Sequence, residues 1–285
     1  MALEAKLAGL VPEIEANLQA FVRSMDFGRS TGLGEMLTYH MGWAEGDGGS
    51  GKRLRPAITL LCAGACGGDY DTAMPAAVGV ELLHNFTLIH DDIEDRSPLR
   101  HGRPTLWTRW GVAQAVNAGD ALFSIAQLAL LGLGETCGEA VAARAARELN
   151  QMCLRLTRGQ YLDIAFEDDE AVELETYLAM IQGKTATLIA YAAAVGGMAA
   201  GADEATVSGL AGYGESLGMA FQIQDDALGI WGDPQVTGKS AASDLLARKK
   251  SMPVLFGLRE SAEFRALWRV SDLDESQVAV MAGLL

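Results

Sequence analysis

The chain has 285 residues, 49% of them apolar, enough to bury a sizeable core in one large domain. With 22 Lys and Arg against 37 Asp and Glu its formal charge is -15. An acidic surface repels nucleic acid and anionic lipid, so neither is expected as a general partner, and an anionic substrate needs a locally basic pocket.

The first segment, MALEAKLAGLVPEIEANLQAFV, places acids among its apolar positions and lacks the basic start and apolar centre of a signal peptide, which predicts a cytoplasmic protein. GDGGSGK (Gly46 to Lys52) marks a turn and leads into the basic run GKRLR, with Lys52, Arg53 and Arg55. Cys62 and Cys66 lie one helical turn apart, but no second Cys or His pair completes a zinc pattern; they read as buried reduced thiols, as do Cys137 and Cys153. After the turn GGDYD (Gly67 to Asp71), apolar residues recur at helical spacing, as in Ala76, Val80, Leu83, Thr87 and Ile89. Period-two alternation of β-branched residues is nearly absent, so the predicted class is all-α.

That helix runs into LLHNFTLIHDDIED (Leu82 to Asp95). Asp91 and Asp95 are four apart and share a helix face, with Asp92 alongside, so three carboxylates are expected to converge. Like charges beneath an apolar stretch are tolerated when cations neutralise them, and oxygen-only ligands suit Mg2+, which bridges to phosphates. The competing reading is a solvated acidic helix end.

RHGRP (Arg100 to Pro104) and FEDDE (Phe166 to Glu170) are further turns. Ala186 to Ala202 is the most apolar stretch, but it is short and rich in Ala and Gly; it reads as a packed core helix, and no stable membrane insertion is expected. GMAFQIQDDALGIWGDPQVTGKSAASDLLARKK (Gly218 to Lys250) repeats the earlier arrangement, an apolar helix running into Asp225 and Asp226. Two acidic clusters, each followed by basic residues, point to facing metal clusters around a polyanion. Lys52, Arg53, Arg55, Arg100, Arg103, Lys184, Lys239, Arg248, Lys249 and Lys250 are the candidate phosphate clamps, Lys as a point charge and Arg as a fork. Helices of this length in a single domain over 1–285 predict a bundle with its site in a central cavity; the tail after Asp272 carries no interpretable motif.

GKRLRP, ELLHNFTLIHDDIED, RHGRPT, GQYLD, GKT, FQIQDD, GDPQVTGK, a following Asp244 and KKSMP stand in one order from about Gly51 to Pro253. In this the chain resembles the trans-isoprenyl diphosphate synthase (polyprenyl synthetase) family, in particular its short-chain, geranylgeranyl-type members. The resemblance implies an all-α isoprenoid-synthase bundle, a homodimer, and head-to-tail condensation of isopentenyl diphosphate with an allylic diphosphate. It also implies that Asp91 and Asp95 hold two Mg2+ ions and Asp225 a third, with Asp92 and Asp226 as direct or supporting partners. By the same resemblance Arg100, Lys184, Thr185, Gln222, Lys239 and Lys249 bind the allylic diphosphate, while Lys52, Arg55 and His84 bind isopentenyl diphosphate. Asp91, Asp95, Asp225, Lys184 and Arg100 would carry the ionisation.

Two positions depart from the family pattern. Gly229 stands where a third carboxylate of the second motif is usual, which implies weaker metal affinity, and restoring Asp there is expected to change Mg2+ dependence only modestly. His101 stands where a second arginine usually grips isopentenyl diphosphate; a weaker site, compensation by Arg103 or a changed substrate would follow. Phe86 lies five residues and Thr87 four residues before Asp91. A bulky residue there shortens the product in this family, so a C20 product is expected, with C15 or C25 as alternatives. A class I terpene cyclase and a non-catalytic partner subunit are the rivals; retention of Lys52, Arg55, His84 and the first acidic motif speaks against both.

Overall fold

Helix boundaries fall where local chemistry places them. In the computed structural model, which describes residues 2–27, 32–44, 51–169, 171–233, 242–270 and 273–285, the turn GGDYD becomes a break between two helices. Helix α3 (Leu54–Ala65) stops at Cys66, Gly67 takes a left-handed φ of 80°, and the Asp69 side chain accepts from Asp71 N at 3.1 Å to start α4 (Tyr70–Glu94). RHGRP is more than a turn. It forms a two-stranded antiparallel hairpin, β1 (Leu99–Arg100) with β2 (Arg103–Pro104), closed by His101 and Gly102 at φ 51° and 76°. Positive φ at both central residues is the type I′ geometry that suits a two-residue hairpin.

By compactness the chain forms two units, Met1–Asn150 with Tyr191–Gly212, and Gln151–Ala190 with Tyr213–Leu285. The first unit holds α1 (Ala2–Ser24), α2 (Gly32–His40), α3, α4, the hairpin, α5 (Leu106–Trp110), α6 (Val112–Leu131) and α7 (Leu133–Cys137). Its centre is α4, buried on nearly every side and packed most extensively on α6 and α3. Ala73, Ala76, Ala77 and Gly79 on α4, with Ala115, Ala118, Gly119, Ala126 and Ala129 on α6, keep both surfaces small enough for close approach. Between them Leu82, Leu83, Leu122 and Leu130 are fully buried, each contributing about 1.5–3 kcal/mol of transfer free energy.

The second unit takes the later part of α8 (Glu139–Asp168), α9 (Leu174–Ile181), a π-helical turn (Gln182–Ala186), the start of α10 (Thr187–Ala199) and most of α11 (Glu204–Trp231). It continues with α12 (Ser243–Leu246), α13 (Met252–Glu260), α14 (Ala262–Trp268) and α15 (Glu275–Gly283). One core cluster joins Phe166, Tyr177, Met180, Ile181 and Leu255. A second joins Ile230, Leu245, Val254, Phe264, Val278 and Met281. Ser261 accepts from Phe264 N at 3.1 Å, and Asp274 with Gln277 forms a capping box, which fixes where α14 and α15 begin.

The all-α expectation holds, apart from the small hairpin. The stretch from Ala186 is a core helix, buried almost without interruption to Ala199. Two helical stretches among the described residues, Val112–Cys137 and Leu174–Ala199, are long and apolar enough by length and composition to cross a membrane, and in the second 61% of the apolar window is buried inside the protein.

Candidate active site

The first acidic segment ends α4, with Asp95 as its C-cap and Asp95 N donating to Asp91 O at 2.8 Å. Asp91 is half-buried and Asp95 exposed. A single residue step turns the helix by about 100°, so Asp92 points elsewhere: it is 3% exposed, and its Oδ1 accepts from Arg100 Nε at 2.9 Å and Nη2 at 2.8 Å. Burial holds the Asp92 carboxyl above its ordinary range, against the pull of the Arg100 guanidinium. The three carboxylates therefore do not converge as the sequence pattern suggested. Among the described residues no three Asp, Glu, His or Cys side chains gather to hold a metal by themselves. His101, expected beside the second substrate, is exposed at the hairpin tip.

The three basic residues of GKRLR have different surroundings. Arg53, at φ 47°, is 4% exposed and paired with Glu15 at 2.8 Å and Glu81 at 2.7 Å, a structural anchor that the sequence did not separate from its neighbours. Lys52 is exposed. Arg55 places Nη1 3.1 Å from His84 Nε2, while its buried Nε has no hydrogen-bond partner. Burial, then the Arg55 charge, lowers the His84 pKa well below its ordinary value, so the imidazole is neutral. A guanidinium with an unmet donor beside a neutral imidazole is a site that an anion would complete, since each unmet buried donor costs about 1–3 kcal/mol. Arg103, expected to compensate for His101, is already engaged: it donates to Tyr39 O at 2.9 Å. Its guanidinium and that of Arg109 each lie 4.2 Å from the Tyr39 ring centroid.

On the same helix the Phe86 ring meets His90 edge-on at 4.7 Å and the Phe123 ring of α6 at 5.2 Å. Thr87 turns its hydroxyl back to His84 O at 2.7 Å. The candidate length-setting residue is thus held by an aromatic neighbour on α6, a contact that no local sequence pattern shows.

In the second unit, Lys184 and Thr185 sit in the π-helical turn, where Thr187 N donates to Gln182 O across five residues. Lys184 Nζ pairs with Asp163 at 2.5 Å. Thr185 Oγ1 donates to Gln222 Oε1 at 2.8 Å, and Gln222 Nε2 donates to Asp226 Oδ1 at 3.0 Å. Gln222 is therefore a connector, with both ends of its amide in use.

Asp226 is the end of that chain. It is 1% exposed and accepts from Gln222, from Met252 N at 2.9 Å and from the Tyr177 hydroxyl in a short bond; Lys249 Nζ is 3.7 Å away. Burial, and then Asp226, pushes the Tyr177 phenol far above its ordinary pKa, so it remains a donor. Burial alone would lower the Lys249 pKa, but Asp226, Asp244, Asp163 and Asp225 outweigh it and hold the ammonium above its usual value. Asp225 is half-buried. Lys239 lies outside the described residues.

Gly229 is buried against Asp244, whose Oδ2 would lie 2.3 Å from a Cβ at that position. A side chain at 229 would therefore require the Asp244 carboxylate to turn aside.

The donor chemistry fits Mg2+. The ligands are oxygen-only, and Mg2+ keeps several waters and uses one or two carboxylates plus substrate phosphates, so no three-residue cage is required. The carboxylates Asp226, Asp244, Asp163 and Asp225 all act on Lys249, and Asp163 also pairs with Lys184, so oxygen donors of the kind that Mg2+ takes lie beside the lysines.

Known proteins share this architecture. The polyprenyl synthetase family profile matches residues 46–283. A geranylgeranyl diphosphate synthase from Mycobacterium tuberculosis is 46% identical over 236 residues, 81% of this chain and 67% of that protein. A (2E,6E)-farnesyl diphosphate synthase from Mycobacterium bovis is 45% identical over 263 residues, 88% of this chain and 72% of that protein. The crystal structure of a polyprenyl synthetase from Streptomyces coelicolor superposes with a TM-score of 0.84 at 38% identity, covering 99% of this chain and 84% of that one. With Asp pairs on two long helices, a cationic Arg55–His84 pair and the lysines of the second unit set in a helical fold matched over nearly its full length, the chain belongs to the polyprenyl synthetase family.

Proposed function

We propose that the protein is a Mg2+-dependent trans-prenyltransferase that joins isopentenyl diphosphate head-to-tail to an allylic diphosphate of C5 to C15, with geranylgeranyl diphosphate (C20) as its product. The names of the two mycobacterial relatives support a short-chain product, C20 first and C15 as the alternative; a C25 product is the other alternative. The observation that carries the condensing reading is the Arg55–His84 pair with its unmet buried donor. A class I terpene cyclase ionises one diphosphate and has no use for a second anion site.

In this reading Asp91, Asp95 and Asp225 hold about three ions, with the bonded carboxylates Asp92 and Asp226 as supports behind them. When bound, Mg2+ neutralises the allylic diphosphate and stabilises it as a leaving group. Arg100, Lys184 and Lys249, with Lys239, bind that diphosphate through charge; Thr185 and Gln222 hold the geometry around it. Lys52, Arg55 and His84 take isopentenyl diphosphate and orient its alkene for attack. Apolar walls keep water from the allylic cation, and the released diphosphate accepts the final proton, so no dedicated catalytic base is needed. His84 suits this, because burial and then the Arg55 charge lower its pKa and make it a poor base. The protein works as a cytoplasmic homodimer without stable membrane insertion, the whole chain acting as one domain.

The test is incubation of purified protein with Mg2+ and farnesyl diphosphate, with and without isopentenyl diphosphate. A prenyl diphosphate product formed only when both substrates are present is expected. Hydrocarbon release without isopentenyl diphosphate would favour a cyclase, and no turnover of either would favour a non-catalytic partner subunit.

A further inference from the structure

One face of α8 touches the turn that carries Lys184 and Thr185 at three points spaced by four residues, Arg155, Gly159 and Asp163. Arg155 Nε donates to Thr187 Oγ1 at 3.1 Å, at the far end of the turn, and Asp163 Oδ2 accepts from Lys184 Nζ at 2.5 Å. Between these two tethers the backbones themselves meet. A Cβ at Gly159 would lie 2.1 Å from Lys184 N and 2.6 Å from the Gly183 carbonyl carbon; one at Gly183 would lie 2.8 Å from Arg155 O and 2.9 Å from Gly159 Cα. The obstructing atoms are main chain, so no rotamer change can relieve them. Helix propensity alone favours Ala over Gly at position 159, in the interior of a 30-residue helix. The contact explains the glycine where propensity does not.

A π-turn inserts one residue into the helical path, so it resets the direction of every side chain after it. Here it does so within the segment that presents Lys184 and Thr185, and its Gly183 backbone lies against Gly159 of α8. We propose that Gly159 is a positioning residue for the allylic-diphosphate clamp: its backbone contact with Gly183 fixes the π-turn and thereby the placement of Lys184 and Thr185. The inference rests on the role proposed above for those two residues. Arg155 and Asp163 tether the turn from either side, and Gly159 sets how near it can come.

The test compares Gly159→Ala and Gly183→Ala with wild type, using Gly209→Ala as a control, because a Cβ at Gly209 meets nothing within 4 Å. Hydrogen exchange followed by mass spectrometry should show faster exchange over residues 182–188 in Gly159→Ala, and protection elsewhere unchanged. The Michaelis constant for the allylic diphosphate should rise by about tenfold or more, as expected for a displacement near 1 Å, while that for isopentenyl diphosphate changes less than about twofold. Gly183→Ala, with milder contacts, should show the same pattern more weakly, and it carries the test if Gly159→Ala does not fold. Gly209→Ala should match wild type. Unchanged exchange at 182–188 in both variants, or equal losses for the two substrates with loosening throughout the protein, would overturn the inference. Absence of turnover in wild type would refute the proposed function instead, and the exchange pattern would still decide whether the contact fixes the turn.

Discussion

Gly229→Asp completes the second acidic motif on paper and is expected to damage the protein. Asp244 is 8% exposed, and a Cβ at 229 would lie 2.3 Å from its Oδ2, 2.5 Å from its Cγ and 2.7 Å from its Oδ1. Overpacking of this kind costs about 1–3 kcal/mol. A second carboxylate adds like-charge repulsion, of order 4 kcal/mol for unit charges 4 Å apart at an effective dielectric constant of about 20, which the neighbouring Lys249 partly offsets. A net loss of about 3–5 kcal/mol follows from the two contributions. Urea unfolding with linear extrapolation reads it directly, and Gly229→Ala, which adds bulk without charge, should lose only about 1–3 kcal/mol. Adding Asp244→Ala to Gly229→Asp should restore most of the loss, with a coupling of about 2 kcal/mol or more in the double-mutant cycle. A Gly229→Asp protein as stable as wild type and needing less Mg2+ would refute the reasoning, since it would mean that the Asp244 side chain turns aside without cost.

Other expectations follow from the same geometry. Burial, and then Arg100, lowers the His40 pKa from 6.5 to about 3, so between those values the unfolded chain binds a proton that the folded protein does not; stability is full above about pH 6.5 and falls as pH is lowered. His40→Gln should flatten that decline by about 1.4 kcal/mol per pH unit in urea unfolding at pH 6 and pH 5, and an unchanged slope would contradict it. Phe123→Ala removes the ring that backs Phe86 and should lengthen the product distribution beyond that of wild type in mass analysis; an unchanged distribution would count against this role. Tyr177→Phe removes one donor from the buried Asp226 carboxylate and should cost about 1–3 kcal/mol in unfolding, although Met252 N and Gln222 remain bonded.

The helical class and the placing of both Asp pairs on long apolar helices were legible in the sequence because both rest on local periodicity, but only the first pair ends its helix: α11 continues past Asp225 and Asp226 to Trp231. What the spacing could not show was which carboxylate faces a partner brought from elsewhere in the chain. Asp92 and Asp226 look equivalent to Asp91 and Asp225 in sequence, yet one is held by Arg100 of the hairpin and the other by Tyr177 and the Met252 amide. Arg53 and Arg55 stand two apart in one basic run, but Glu15 and Glu81 form their close ion pairs with the first. Tyr39, Asp163 and Tyr177 were missed for the same reason, since a lone Tyr or Asp carries no local signal of a distant partner. Asp163 stands in GQYLD, but nothing in that motif shows that it reaches Lys184. The absence of a carboxylate at Gly229 was legible; the presence of Asp244 in its place was not, because fifteen residues separate them in the chain.

The most direct test of the account is mass analysis of products formed by the purified protein from labelled isopentenyl diphosphate with C5, C10 and C15 allylic primers. Elongation of all three primers, converging on a C20 diphosphate, is the predicted result. Folded protein that incorporates no isopentenyl unit into any primer would contradict it.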